Sequence, residues 1–400
     1  MSVFKAADIL LPDSVDMERW SVVACDQYTA QPEYWKRVEE FVKDKPSTLN
    51  IVYPEAFLSE GDGRIEKINQ KMQEYLDKKL FAKLASSLVY VERTLNSGKI
   101  RRGIIGAVDL ECYDFSKGSK SEIRATEGTI LERIPPRVKI RENAPLELPH
   151  VILLMNDESD SVIGKVAKEK LVYEFDLMED GGHIAGWHIS SDMAEAVVNR
   201  INKYAETAKD NLVFAVGDGN HSLATAKSCW ESLKKTLTKE EQESHPARYC
   251  LVEIENIHDE SLEFEPIHRV VFNQNPEEVL EKMAKYYDVS DEYEEGSLLV
   301  TAVYGDKSKP LYIKNSSSKL EVGALQNFLD EMGYELDYIH GSDVVKELSK
   351  AENTIGFILP CPDKNSLFEA VIQDGALPRK TFSMGEANEK RFYLEAKAIK

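Results

Sequence analysis

The chain has 400 residues, with 50 Lys plus Arg against 70 Asp plus Glu for a net charge of −20, and 42% hydrophobic and 9% aromatic content. That composition excludes a disordered or disulfide-stapled chain and supports one oversized domain or two ordinary ones. The negative charge excludes general nucleic-acid binding, and a mean hydropathy of −0.39 with no apolar run near ~20 residues excludes a membrane helix.

The start shows no basic region followed by an apolar stretch, so the expected location is the cytoplasm. Five cysteines, Cys25, Cys112, Cys229, Cys250 and Cys361, are scattered without a CxxC pair. Neither a disulfide framework nor structural zinc is expected. Each reads as a small buried hydrophobe, and Cys25 stands out for its neighbours.

Helical and strand patterns interleave throughout, which predicts an α+β (mixed α/β) protein. Residues 21–24 read as a short buried strand running into a polar loop at 26–29. Pro32 then suits the first turn of a helix over 32–42, and a second amphipathic helix is predicted over 64–83. Between 87 and 114, two β-branched runs split by Asn96, Ser97 and Gly98 predict an antiparallel hairpin. Residues 122–143 are polar, and Pro135-Pro136 argues against a helix there, so a functional loop or lid is expected. HVILLMN at 150–156 reads as a strand, LVYEFDL and HIAGWHI as a second hairpin, and 191–209 as a helix. His183 and His188, five apart on a strand, fall on opposite faces and do not suggest a metal site.

The most informative unit is an apolar strand at 211–216, the turn GDGNHS at 217–222, and a helix with Leu223, Ala226, Trp230 and Leu233 inward. Gly217 and Gly219 allow a sharp turn and close approach, and a helix N-terminus offers N–H groups and a positive dipole end to an anion. Asn220 and Ser222 can cap the helix or donate to a phosphate, His221 can donate a charge-assisted bond, and Asp218 is placed for a metal ion or a proton. The bland alternative is an ordinary tight turn with a capping serine, because the pattern is neither a Walker loop nor GxGxxG. Strands and helices continue to the end, with helices near 275–287, 320–332 and 363–373; the acidic stretch 291–295 is a boundary or insertion candidate.

With these segments in hand, the chain resembles the domain of unknown function 1015 family, whose usual motif ADGHHRYETA corresponds to GDGNHSLATA here. SVVACDQYT resembles the family's Pro-Pro-Tyr-Asp loop, IRATEGT its His-Glu-x-Thr segment, and HIAGWHISSD its His-x-x-x-Trp hairpin. EPIHRVV resembles its Pro-Thr-His-Arg segment and LPRKTFSMGE its Pro-x-Lys-Ser-Thr tail. The family's loop is similar to that of the ParB, sulfiredoxin and free-serine kinase superfamily, where it holds nucleotide phosphates. Asn220 and Ser222 depart from the motif and remove one cation. The resemblance implies that Arg124, Arg133, Arg137, Arg269 or Lys380 supplies it.

The expectation is a nucleotide-dependent phosphotransferase acting on a small polar metabolite, with ATP or ADP and Mg²⁺ as cofactors. Gly217, Gly219, Asn220, His221 and Ser222 would hold phosphates. Asp26, after a buried run, or Glu127, among arginines, would be the base, and Asp218 a further catalytic carboxylate. His268 and Arg269, at a strand start, and Lys380 and Thr381, in the tail, are further contacts expected in the same cleft. The alternatives are a non-catalytic nucleotide- or anion-binding regulator and, third, a metal-dependent hydrolase using Asp218 and His221. The expected division is a main domain over 1–274 and a C-terminal α/β portion over 275–400.

Overall fold

A computed structural model describes the chain apart from Met1, Ala30, Ile130 and Arg379, and apart from the side chains of Arg133 and Asp374. The described residues divide into two units, one of residues 1–262 with 386–400, the other of residues 263–385.

In the first unit, β1 (Ala7–Pro12), α1 (Pro32–Val42) and α2 (Asp62–Asp77) lead into the long hairpin β2 (Phe81–Thr94) and β3 (Ile100–Asp109). Next come β4 (Ile123–Arg124), α3 (Ile134–Arg141), β5 (Ile152–Met155), β6 (Lys170–Asp176) and β7 (His183–Ile189). The run closes with α4 (Ser191–Ala205), β8 (Phe214–Asp218), α5 (Asn220–Leu233) and β9 (Tyr249–Asn256). An eleven-stranded mixed sheet carries the order β4-β8-β5-β9-β3-β2-β7-β6 through its centre. β5 runs antiparallel to β8 and parallel to β9, so its start, at His150 and Val151, lies beside the end of β8.

Fully buried side chains on the two faces of this sheet form two cores. Phe4, Leu153, Phe214, Leu223 and Trp230 belong to one, and Ile9, Val22, Trp35, Val89 and Ile105 to the other. The β2–β3 hairpin agrees with the two β-branched runs split by a turn, and the β6–β7 hairpin is likewise as expected. His183 bonds to Asp176 and His188 to Ser87, each with its own strand partner.

Three expectations change. Residues 21–24 form no strand but a single bridge, Val23 to Phe392, made by the returning tail. Helix α2 ends at Asp77, because the chain takes a left-handed turn at Lys79 (φ 54°) and enters β2 two residues later. Residues 134–141 are helical despite Pro135-Pro136: both prolines occupy the first turn, where an N–H has no intrahelical acceptor and φ is already suitable.

The second unit holds a seven-stranded sheet built around β10 (Phe264–Val271). It also contains α6 (Pro276–Tyr286), β11 (Asp288–Ser290), β12 (Leu298–Tyr304), β13 (Lys307–Lys314), α7 (Glu321–Met332), β14 (Leu336–His340), β15 (Ile355–Ile358) and α8 (Leu367–Asp374). The division falls before β10, not at 274/275, because β10 pairs with β14, β15 and Phe382–Met384 inside this unit. The acidic stretch 291–295 is a surface connection between β11 and β12, with Asp291 and Glu294 paired to Lys309 and Lys314.

Residues 386–400 belong to the first unit. Arg93 donates to Lys390 O at 2.6 Å, Tyr393 N–H donates to Val22 O at 2.8 Å, and Leu10 and Ala396 exchange backbone bonds at 2.8 and 2.9 Å. These contacts bring tail side chains to the start of β5.

Candidate active site

The local sequence makes the turn. β8 shifts register against β5 between Val216 and Asp218, so Gly217 sits in a bulge, and Gly219 caps α5 in the left-handed region at φ 82°. A Cβ on Gly219 would lie 3.0 Å from Val151 Cα, so the position needs both the conformation and the missing side chain. Asp218 Oδ1 accepts from Gly219 N–H at 2.9 Å, and the N–H groups of Ser222 and Leu223 donate to Gly219 O at 3.0 Å. Helix α5 thus begins cleanly at the turn, with the positive end of its dipole there.

Each residue singled out in the sequence has a definite place. Asn220 is buried, and its amide is bonded to Thr126: Oδ1 accepts from Thr126 N–H at 3.2 Å, and Nδ2 donates to Thr126 Oγ1 at 3.3 Å. This ties the segment carrying Glu127, itself half-buried, to the glycine turn. His221 is half-buried, with its carbonyl accepting from Thr225 Oγ1 at 2.7 Å. Ser222 Oγ bonds to His150 Nε2 at 3.0 Å.

Asp218 Oδ2 lies 3.5 Å from Lys390 Nζ, and the same ammonium acts on the half-buried Asp26. Burial opposes ionisation of Asp26, but His150, a bond from Gln27 Nε2 and Lys390 outweigh it and hold its carboxyl below the ordinary value. Asp26, Asp218, His150 and Lys390 therefore form one electrostatic group. Beside it, Tyr393 Oη bonds to His150 Nδ1 at 2.8 Å and to Cys25 Sγ at 2.9 Å.

A cavity of about 370 Å³ opens next to this group. Cys25, His150, Ser222 and Tyr393 line it together, Met72, Ile140 and Leu148 are among its apolar walls, and Arg137 lines it while paired with Glu55. That size lies within the ordinary range for a small-molecule site.

Of the other expected cations, those described have partners within their own unit. Arg124 is buried and donates to Ser121 O and to both the side chain and carbonyl of Asp210, which precedes β8, whereas the glycine turn follows it. The Arg133 side chain lies outside the described residues. His268, Arg269, Lys380 and Thr381 belong to the second unit and bond within it: His268 Nδ1 accepts from Leu359 N–H, Arg269 donates to Gln326 and to Lys380 O, and Thr381 donates to Pro378 O.

Among the described residues, no group of three or more His, Cys, Asp or Glu could hold a metal ion, so Asp218 and His221 do not form part of such a cluster. No helix among them is long and apolar enough to cross a membrane. Sequence reasoning passed over His150, Lys390 and Tyr393. The one available signal was a lone histidine opening the apolar run of β5; the two tail residues carried none.

No curated protein matches the chain. Among solved structures, a mutant free serine kinase in complex with AMP aligns at 14% identity and TM-score 0.39, over 70% of this chain and 88% of that one. A C-terminally truncated SbnI from Staphylococcus aureus aligns at 10% identity and TM-score 0.39, over 70% and 82%. A conserved hypothetical protein from Pyrococcus furiosus aligns at 12% identity and TM-score 0.34, over 70% and 93%. A family model described as Protein of unknown function (DUF1015) matches residues 8–336, and the chain belongs to that family.

Proposed function

We propose that the protein is a nucleotide-dependent phosphotransferase acting on a small metabolite, with nucleotide phosphates held at the turn 217–222 and the remainder of the bound molecules in the adjoining cavity. The observation that carries this reading is the convergence of a glycine-capped helix N-terminus, a lysine and an ionised carboxylate, with Ser222 of that first turn and His150 beside that carboxylate lining a cavity. Phosphoryl transfer needs positioning and charge neutralisation, and this group of residues offers both.

Gly219 brings the backbone of α5 up to the ligand, and the first turn presents its dipole to the phosphates. Lys390 supplies the local cation that Asn220 and Ser222 do not, which lets an acidic protein accept a polyanion. Asp26, kept ionised, is the candidate base for an acceptor hydroxyl, with Glu127 as the other carboxylate on a segment tied to the turn. The apolar walls exclude water from the transfer. The carboxylates present are too few to hold Mg²⁺ by themselves, but one or two together with nucleotide phosphates suit it, and bound there it would offset phosphate charge.

A second reading, a nucleotide-binding regulator without turnover, is favoured by one feature: the Asn220 amide is spent on Thr126, leaving the phosphates one side chain fewer. Calorimetric titration with ATP, ADP, CTP and GTP, with and without Mg²⁺, followed by a phosphate-transfer assay, decides between them. Binding with transfer is the expected result, binding without transfer supports the regulator, and no binding of any nucleotide overturns both.

A further inference from the structure

Three hydrogen bonds form an unbroken line among residues that line the cavity: Ser222 Oγ to His150 Nε2 at 3.0 Å, His150 Nδ1 to Tyr393 Oη at 2.8 Å, and Tyr393 Oη to Cys25 Sγ at 2.9 Å. Of the two proton arrangements open to this line, one makes His150 the acceptor toward Ser222. In it Tyr393 gives its one hydroxyl hydrogen to Cys25 Sγ, while its oxygen also accepts from the Cys25 backbone N–H at 3.3 Å. The bond to His150 is then donated by Nδ1–H, so Nε2 presents a lone pair to the Ser222 hydroxyl. This is the tautomer required of a general base.

Three surrounding features fit the same role. His150 is buried, and Tyr393 holds its ring edge-on with centroids 5.3 Å apart, so the imidazole is fixed in orientation. Asp26 interacts electrostatically with His150 and is placed to steady an imidazolium. Cys25 does not compete as nucleophile, because burial and the neighbouring Asp26 push its thiol up to about 12 and it stays protonated near neutral pH. Ser222 itself lies in the first turn of α5, where the helix dipole favours developing negative charge.

We propose that Ser222 is a nucleophile that accepts the terminal phosphoryl group of a nucleoside triphosphate, with His150 as its general base and Tyr393 as the residue that positions His150. The inference rests on the reading of the turn 217–222 as a phosphate site. In the step, a bond forms between Ser222 Oγ and the terminal phosphorus as the bond from that phosphorus to the bridging oxygen breaks. The Ser222 proton passes to His150 Nε2, and the nucleoside diphosphate leaves with the electron pair. In the return step an acceptor hydroxyl attacks the phosphoserine, Nε2–H restores the proton to Ser222 Oγ, and the acceptor's proton passes to the Asp26 carboxylate, which releases it to water. Neither step needs an oxidant or a reductant.

The test is incubation of the full-length protein with Mg²⁺-ATP, intact-mass measurement for one added phosphoryl group, and peptide mapping of the labelled position. ATP affinity is followed in parallel by calorimetry and folding by thermal denaturation. We expect label on Ser222, no label on Ser222→Ala at ATP concentrations that calorimetry shows to saturate the variant, and labelling of His150→Gln slowed about 100-fold, within the range for loss of a general base. ATP binding by the wild-type protein without label on Ser222 overturns the nucleophile and leaves the nucleotide reading standing. Label on another residue, undiminished in Ser222→Ala, overturns it equally. Absence of ATP binding overturns both readings, and mapping on the wild-type protein decides the matter even if the His150 variant fails to fold.

Discussion

Asn220 and Thr126 bond to each other twice, the Asn220 amide accepting from the Thr126 backbone and donating to its hydroxyl, while that hydroxyl donates to Val216 O at 2.6 Å. The pair joins the segment carrying Glu127 to the glycine turn in a buried setting. Asn220→Ala would leave the Thr126 N–H without this acceptor in the interior, and a loss of about 1–3 kcal/mol is expected. Urea denaturation measures it; a change below the error of the method would mean that the two segments are joined by other contacts.

Gly219→Ala adds a Cβ 3.0 Å from the Val151 backbone and forces a side chain into the left-handed region. The conformational cost alone is about 1–2 kcal/mol. Relief requires the turn to move, so nucleotide affinity should fall by more than stability does. Calorimetry and the thermal midpoint together check this, and an Ala variant with wild-type affinity would dissociate the turn from the ligand.

Asp26→Asn keeps the shape of the loop and removes the negative charge beside His150. Nucleotide affinity is expected to stay within a few-fold, while transfer slows by about 10²–10⁴-fold, the range for a general base. Steady-state rates at saturating nucleotide provide the measurement. An unaltered rate would move the role of base to Glu127.

Arg391 in the returning tail is buried and donates to Glu253 at 2.8 Å, to Glu395 at 2.6 Å and to Pro149 O at 2.6 Å. Burial works against its charge, but Glu395 and Glu253 outweigh that and hold the guanidinium firmly protonated. Arg391→Leu strands two carboxylates in the interior and is expected to cost about 3–5 kcal/mol. Because Lys390 and Tyr393 flank it, nucleotide binding should weaken in the same variant at temperatures where it remains folded.

His268, in the second unit, is buried and accepts from Leu359 N–H through Nδ1 at 3.2 Å. Burial, with Arg269 and His340 nearby, lowers its pKa from 6.5 to about 4. The unfolded chain therefore takes up a proton over that interval that the folded chain does not. Stability from this group is present above pH 6.5 and is lost as pH falls toward about 4, by up to about 3 kcal/mol. His268→Asn, which retains an acceptor, should flatten that part of the stability–pH curve. A wild-type curve and a variant curve of the same slope would contradict the assignment.

How far the sequence could be read depended on the range of the interaction concerned. The strand, glycine turn and helix at 211–233 were legible because period and punctuation lie within one short stretch, and the same holds for the β2–β3 hairpin. Helix α3 was not, because a proline pair argues against a helix interior yet is harmless in a first turn, and the position of that turn depends on the packing of α3 beside α5.

By itself the sequence determined the mixed architecture, the glycine turn that opens a helix at 217–222 and the departure of Asn220 and Ser222 from the family motif. Only the tertiary structure decided that Asn220 is spent on Thr126, that Arg124 is anchored to Asp210, and that Ser222 meets His150, 72 positions away, and through it Tyr393, a further 243 away. The physical reason is that a helix or turn is set by neighbours three or four positions apart, whereas an active site is assembled by sheet register and by a tail whose backbone bonds join it to the first strands. Nothing periodic in the chain encodes those pairings.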